Sequence, residues 1–548
     1  MNPQFPQKRL ALLEDKDDQE SFKNYQENNK LSLRKKHIFN TLFSKRQSMY
    51  METTLLNNKY IIDVKSISID EEIKTNPELY IKTKFDIKFW FKYLFSENLN
   101  QIKAALYMIE LFIRMQIKEI DIQKRVLSRN DTELINRLCD YLNHKDLQIV
   151  YYALISLINL TLFPKHIEAR IKTERNINII LQFFNKYDFN FGHEMLLLLI
   201  NCSTENKQKM FFLENGVLER LNFVMKASLD KMEFKNYIYI IRLLYNLSQI
   251  PEDYKCTVEK KLNWFWPFLP FVKKAITFCF VQNPWEKADD CKFYLGVLKF
   301  YVENAFINKK LLLSIINDEF SRILIEFYYK IKDDNNKDVL LKIFADLLSN
   351  DDSINEYFIQ DGILGLFLNE INEIGYKKKD LLDTILFACS NIACGAVGQI
   401  NQLYMQGLVW KCFEIFHHLS QQILTVENKK IMFNAVYVLT EVIFGCDSKI
   451  KVEIMVYQDF EIINIFAFTI KYLLDNNNEE FITRELGNSL YALIERGESD
   501  LEENSLEAFK NKMITNEMEE IIQNIIFNHT KSENVEKKWI FIQEFLKE

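Results

Sequence analysis

Apolar residues recur along most of the chain at helical spacing, in stretches broken by short polar turns. The run Leu386–Trp410, LFACSNIACGAVGQINQLYMQGLVW, shows the pattern clearly. An apolar helical stretch carries one amide, Asn391. Two glycines follow, then a second amphipathic stretch and a third glycine, Gly407. The apolar run before Asn391, ILFACSN, resembles LISLINL around Asn159, LLLLINC around Asn201 and RLLYNLS around Asn246. Weaker copies are LKFYVEN at Tyr301, KIFADLL at Asp346 and VLTEVIF at Glu441. Successive anchors lie 42, 45, 55, 45, 45 and 50 residues apart. A near-constant period of about 40–47 residues belongs to helical repeat arrays. A second marker shares the register: ENGVLERL, QDGILGLF and MQGLVWKC place Gly216, Gly362 and Gly407 some 15 or 16 residues after an anchor, where glycine permits a sharp turn between helices. Asparagine makes up 50 of 548 residues, so seven random positions would hold fewer than one; four of the seven anchors are asparagine.

Each unit therefore reads as an apolar helix with the anchor, a polar turn, a short helix, the glycine turn and another apolar helix. Three helices per unit predict an all-α, armadillo-repeat, right-handed superhelical solenoid of about ten repeats. Residues 85–548 form this domain, with the first repeat around AALYMIELFIRM. Residues 51–84 are a linker leading into it, and residues 1–50 a flexible basic-ended segment. Inserted loops are expected near Gln282–Asp290, where FVQNPWEKADD carries an Asn-Pro pair, and near Ser420–Lys430.

Composition agrees. Glycine (12) and proline (8) are too scarce for an all-β or parallel α/β protein of this length. The net charge of −7 speaks against a general nucleic-acid binder, which is more often basic. Nine cysteines are scattered without CxxC or paired Cys/His spacing, and most sit in apolar runs, such as Cys202, Cys279 and Cys412. They read as reduced core residues. No apolar run reaches about 18 residues uninterrupted, so no membrane insertion is expected. No phosphate-binding GxxxxGK, GxSxG or HExxH is present, and His417 and His418 are adjacent, so they point in different directions on a helix. Neither an enzyme nor a cofactor is expected.

Polar groups four residues apart can form an exposed strip on one side of a helix. A ladder of amides there could hydrogen-bond the C=O and N–H groups of an extended peptide. This reading places the anchor asparagines on a groove wall; the alternative is a satisfied amide in the core.

With these motifs in view, the sequence resembles the importin-α family, armadillo adaptors for nuclear localisation signals. ACSNIACGAVGQINQLYMQG looks like the family's seventh repeat, and the last 60 residues resemble its closing repeat. LSLRKKHIFNTLFSKRQ, residues 31–47, is similar to the importin-β-binding segment, with Arg34, Lys35 and Lys36 early and Lys45 and Arg46 late. The resemblance implies importin-β as one partner, basic signal peptides of cargo proteins as another, and an export receptor at the C-terminal repeats. It implies a cytoplasmic and nuclear location. It assigns Ile155, Asn159, Leu197, Asn201, Glu205, Arg242 and Asn246 to a major peptide groove. Lys342, Asp346, Phe387, Asn391, Tyr437 and Glu441 fall in a minor one.

The departures are specific. In the family, tryptophans four residues before the asparagines receive lysine and arginine stems through apolar contact and cation–π attraction. Here those positions hold Ile155, Leu197, Arg242, Val297, Lys342, Phe387 and Tyr437, and only the last two are aromatic. Arg242 would repel a basic peptide. Glu205 keeps an acidic residue four past Asn201, while Asp346 and Glu441 replace amides, losing donors and gaining attraction for cations. The expected function is a divergent nuclear import adaptor. Two alternatives stay open: an armadillo scaffold that does not bind basic signals, and an adaptor that recognises folded cargo on its convex surface.

Overall fold

The protein is described from a computed structural model. The described residues are 71–84, 86–118, 131–161, 171–186, 192–228, 234–251, 254, 256–282, 288–305, 308–349, 351–375, 377–422, 425–474, 486–528 and 533–547. Among them the regular structure is helical, with no strand. The basic segment 31–47, the whole of 1–50 and most of the 51–84 linker lie outside the described residues. The helices form two compact units that divide between Pro251 and Glu252.

In the first unit, α1 (Leu99–Lys118), α2 (Leu147–Leu160), α3 (Gly192–Cys202) and α6 (Phe234–Ser248) carry or precede the anchors. Helices α4 (Asn206–Glu214) and α5 (Val217–Ser228) complete the three-helix unit that α3 begins. Helices α1, α2, α3 and α6 pack in that order, each on the next. In the second unit, α7 (Ala288–Ala305), α8 (Asp334–Leu348), α11 (Lys379–Ala393), α14 (Val426–Gly445) and α17 (Gly487–Asp500) stack likewise, and α20 (Glu533–Lys547) closes on α17. Between them run the shorter pairs α9 (Asp352–Gln360) and α10 (Ile363–Ile374), α12 (Val397–Met405) and α13 (Leu408–Ser420), α15 (Ser448–Val456) and α16 (Glu461–Leu474), and α18 (Glu503–Thr515) and α19 (Met518–Asn528). This is the three-helix order that the 45-residue period predicts.

The local chemistry is explicit. Asp146, Asp333, Asp351 and Thr425 each start a helix by accepting hydrogen bonds from backbone N–H groups of its first turn. Gly362 and Gly407 stand at the turn between second and third helices with φ of +95° and +82°, the left-handed conformation that residues with a Cβ adopt at a cost. Apolar faces fill the interior. Leu340, Ile343, Phe344 and Leu347 of α8 are buried, as are Ile385, Leu386 and Ile392 of α11. Cys139, Cys202, Cys291, Cys389, Cys412 and Cys446 are buried within it as thiols. Burial pushes Cys412 and Cys446 up to about 12, so these thiols stay protonated at neutral pH.

At the C-terminal end, Trp539 of α20 is fully buried against Gly487 of α17. A Cβ at Gly487 would lie 2.8–3.0 Å from the Trp539 ring, whereas one at Gly362 would meet nothing within 4 Å. Gly362→Ala therefore costs only left-handed backbone strain, about 1 kcal/mol. Gly487→Ala forces the indole out of its seat and is expected to cost about 2–3 kcal/mol, in the range for overpacked cores. Urea denaturation monitored by tryptophan fluorescence checks the order; equal midpoints for the two variants would contradict this packing.

Candidate peptide-binding site

The anchor amides do two things that the sequence reading did not separate. In the first unit Asn159 and Asn201 are 0% and 1% exposed, so they do not line an open strip. Asn159 Nδ2 lies 3.5 Å from Glu110 Oε1 of α1, and Asn201 Nδ2 donates to Thr161 Oγ1, 2.7 Å, at the end of α2. Their Oδ1 atoms are shielded from solvent and have no hydrogen-bond partner among the described residues. Without rearrangement they cannot accept from a peptide N–H.

Asn246 and Asn391 are half-buried. Asn246 Nδ2 donates to Ile200 O at 3.0 Å and Ser203 Oγ at 3.1 Å. Asn391 Nδ2 donates to Ala345 O at 3.2 Å. Each acceptor carbonyl belongs to the residue just before the preceding anchor. At the Tyr301 anchor the contact is different: Tyr301 is buried, and its hydroxyl donates at 2.5 Å to the carbonyl of Phe265, which ends the helix Val258–Phe265 rather than the preceding anchor helix. The amide N–H groups thus join one repeat to the next, leaving Oδ1 of Asn246 and Asn391 as the acceptor for any bound chain.

The other first-unit candidates are placed as follows. Ile155 and Leu197, at 5% and 6% exposure, are core residues and form no slot; both are aliphatic and sit on apolar faces. Arg242 is half-buried on α6. Glu205 is exposed but faces Lys172, whose Nζ lies 3.6 Å away and donates to Thr204 Oγ1 at 2.8 Å. A buried ammonium needs a counter-charge, so Glu205 balances the protein's own lysine.

The second unit differs. A cleft of about 370 Å³ opens across α8, α11 and α14, lined by Lys342, Ala345, Asp346, Asp383, Thr384, Phe387, Lys430 and Asn434. It runs obliquely. On α8 it uses the anchor and the position four before; on α11 the positions four, seven and eight before; on α14 those seven and eleven before. That stagger explains which minor-groove candidates meet. Lys342, Asp346 and Phe387 line the cleft, whereas Asn391, Tyr437 and Glu441 are half-buried and do not line it. Tyr437 lies with its hydroxyl 3.9 Å from Cys394 Sγ.

Phe387 is 46% exposed; several other phenylalanines are exposed too, but it alone of them lines this cleft. Asp346 is half-buried, and its carboxyl is raised above the usual range by burial first and by Glu303 second, with Lys299 opposing. Lys299 is itself 3.4 Å from Glu303. The cleft's lysines are paired internally: Lys342 with Asp338 and Lys430 with Asp383, both at 2.6 Å. Asn434 Nδ2 occupies the other Asp383 oxygen at 2.7 Å. An aromatic face beside a half-buried carboxylate suits the stem and head of a lysine or arginine. Sequence reasoning missed Asp338, Asp383, Thr384, Lys430 and Asn434. A signal existed: Asp338 and Asp383 both stand eight residues before an anchor, two turns along the same helix face.

Among the described residues no group of His, Cys, Asp and Glu could hold a metal ion, and no helix is long and apolar enough to cross a membrane. His417 and His418 each meet their own glutamine four residues on, Gln421 and Gln422.

No family model matches the chain and no curated protein matches it. Solved structures do. One, from work on a conserved phosphorylation switch controlling the interaction between cadherin and β-catenin, superposes with a TM-score of 0.57 at 12% identity, over 87% of this chain and 94% of that one. Another, an engineered protein, gives 0.53 at 14% identity, over 85% of this chain and 99% of that one. Likeness at this identity shows the fold alone: an armadillo-like, all-helical repeat fold.

Two tests follow from the geometry. Asn246→Ala removes two hydrogen bonds and leaves a carbonyl of α3 unpartnered by the next repeat, a cost of about 1–2 kcal/mol; chemical denaturation reads it. Asp346 binds its proton more tightly folded than unfolded, so stability falls as pH rises from the ordinary carboxylate range through the raised one. Asp346→Asn should therefore raise Tm at neutral pH and leave it unchanged in acid, where both states are protonated.

Proposed function

We propose that this protein is a helical-repeat adaptor that binds an extended, cationic peptide segment across the stacked anchor helices of its second unit, and that it serves as a nuclear import adaptor. The cleft at α8, α11 and α14 carries the reading, because it puts an exposed aromatic ring, Phe387, beside a half-buried carboxylate, Asp346. The import role is supported by the resemblance of residues 31–47 to an importin-β-binding segment and of ACSNIACGAVGQINQLYMQG to the seventh repeat of importin-α proteins. In this reading Arg34, Lys35, Lys36, Lys45 and Arg46 engage acidic residues of importin-β, and cargo is held in the second unit.

The second reading is an armadillo scaffold without basic-signal binding. The first unit favours it, since Asn159, Asn201, Ile155 and Leu197 are interior residues there.

Fluorescence anisotropy with the full chain and a labelled lysine-bearing peptide separates the two. Binding should weaken about threefold to thirtyfold in Phe387→Ala, the span of a cation–π contact. Asp346→Asn should weaken it roughly tenfold or more, as for loss of a close charge partner. Co-purification with importin-β, abolished when Arg34, Lys35, Lys36, Lys45 and Arg46 are all replaced by alanine, tests the import role. Absence of both bindings would leave the scaffold.

A further inference from the structure

The same cleft carries a finer specificity than attraction for cations. Of its lining residues, Lys342 and Lys430 are lysines, with side chains 48% and 68% exposed, on the two outer helices α8 and α14. Phe387, on α11, stands between them in helix order, and Asp346 lies one turn from Lys342. Each ammonium spends one hydrogen bond on its aspartate, Asp338 or Asp383. An ammonium has three donors, so each keeps hydrogen-bonding capacity toward solvent or a ligand. Asp383 has both oxygens engaged, by Lys430 and Asn434. An incoming cation is drawn to Phe387 and the carboxyl of Asp346, which line the cleft together. Further cations along the same peptide would meet Lys342 and Lys430, where like charges a few ångströms apart repel.

We propose that this cleft selects a peptide of mixed charge: one lysine or arginine inserted between Phe387 and Asp346, with acidic residues on either side that reach Lys342 and Lys430. An unbroken basic run is disfavoured. The inference rests on the reading of the cleft as a peptide site and names the class of segment it takes.

The test is anisotropy with the full chain and two labelled peptides of equal length at low salt. One has a single lysine flanked on both sides by glutamates; the other has an unbroken run of lysines and arginines. The mixed peptide is expected to bind about tenfold tighter or more, the scale on which like-charge juxtaposition suppresses a wrong partner. In Lys342→Gln/Lys430→Gln, whose substituted side chains are solvent-exposed, that preference should collapse to within about twofold. Phe387→Ala should weaken the mixed peptide. Equal or tighter binding of the basic run overturns the mixed-charge selection while leaving the cleft as a peptide site. A preference that survives in the double lysine variant also overturns it. Failure of both peptides to bind overturns the selection together with the site it rests on.

Discussion

The last carbonyls of a helix have no partner within that helix, and the way the next repeat supplies one organises each unit. Asn246 reaches the carbonyl of Ile200, Tyr301 that of Phe265 and Asn391 that of Ala345. Asn201 does the same for the hydroxyl of Thr161, the residue that ends α2. The three asparagine contacts fix the height of one anchor helix against its predecessor, and the Tyr301 contact ties α7 to the helix Val258–Phe265. Apolar packing alone is not directional and would tolerate sliding along the stack; a donor aimed at one carbonyl does not. The amide at Asn201, Asn246 and Asn391 therefore serves the stack before it serves any ligand, while α8 and α14 stack carrying Asp346 and Glu441 at the same position.

That dual demand explains what was legible in the sequence. The period, the three-helix order and the turn glycines follow from chemistry local to each repeat, so they could be read from spacing, and φ of +95° and +82° at Gly362 and Gly407 matches that reading. The surface could not be read the same way. An asparagine at the end of an apolar run looks identical whether its amide serves a peptide or the previous helix. Asn159 and Asn201 are buried with their amides turned to Glu110 and Thr161 of the preceding repeat, whereas Asn391 is half-buried. Obliqueness of the cleft was hidden too. Alignment of repeats compares equivalent positions, while a groove that descends from anchor level on α8 to eleven residues before it on α14 collects non-equivalent ones.

Charge divides the anchor helices further. In the first unit the acidic candidate, Glu205, is committed to a buried lysine, and Arg242 adds positive charge on α6. In the second, the aspartates eight before the anchors, Asp338 and Asp383, hold Lys342 and Lys430. The position of Asp346 is costly to the fold, since burial and Glu303 both oppose its ionisation. A half-buried carboxylate beside an exposed phenylalanine is poor design for stability alone and good design for receiving a cation, because the arriving charge relieves the repulsion and covers the ring.

The absence of tryptophan from the anchor positions then has a physical reading. An indole slot grips any long cationic stem, and a row of such slots favours a run of lysines. The proposed site, with one phenylalanine, two aspartate-bound lysines and one half-buried carboxylate, would grip less generally, and the neighbours of an inserted residue would matter. Lys342, four residues before the α8 anchor, places a charge at that depth in the cleft. Such a site, if it takes the proposed peptide, would discriminate through what it repels, and its affinity would depend on the pattern of charge along the guest rather than on its total.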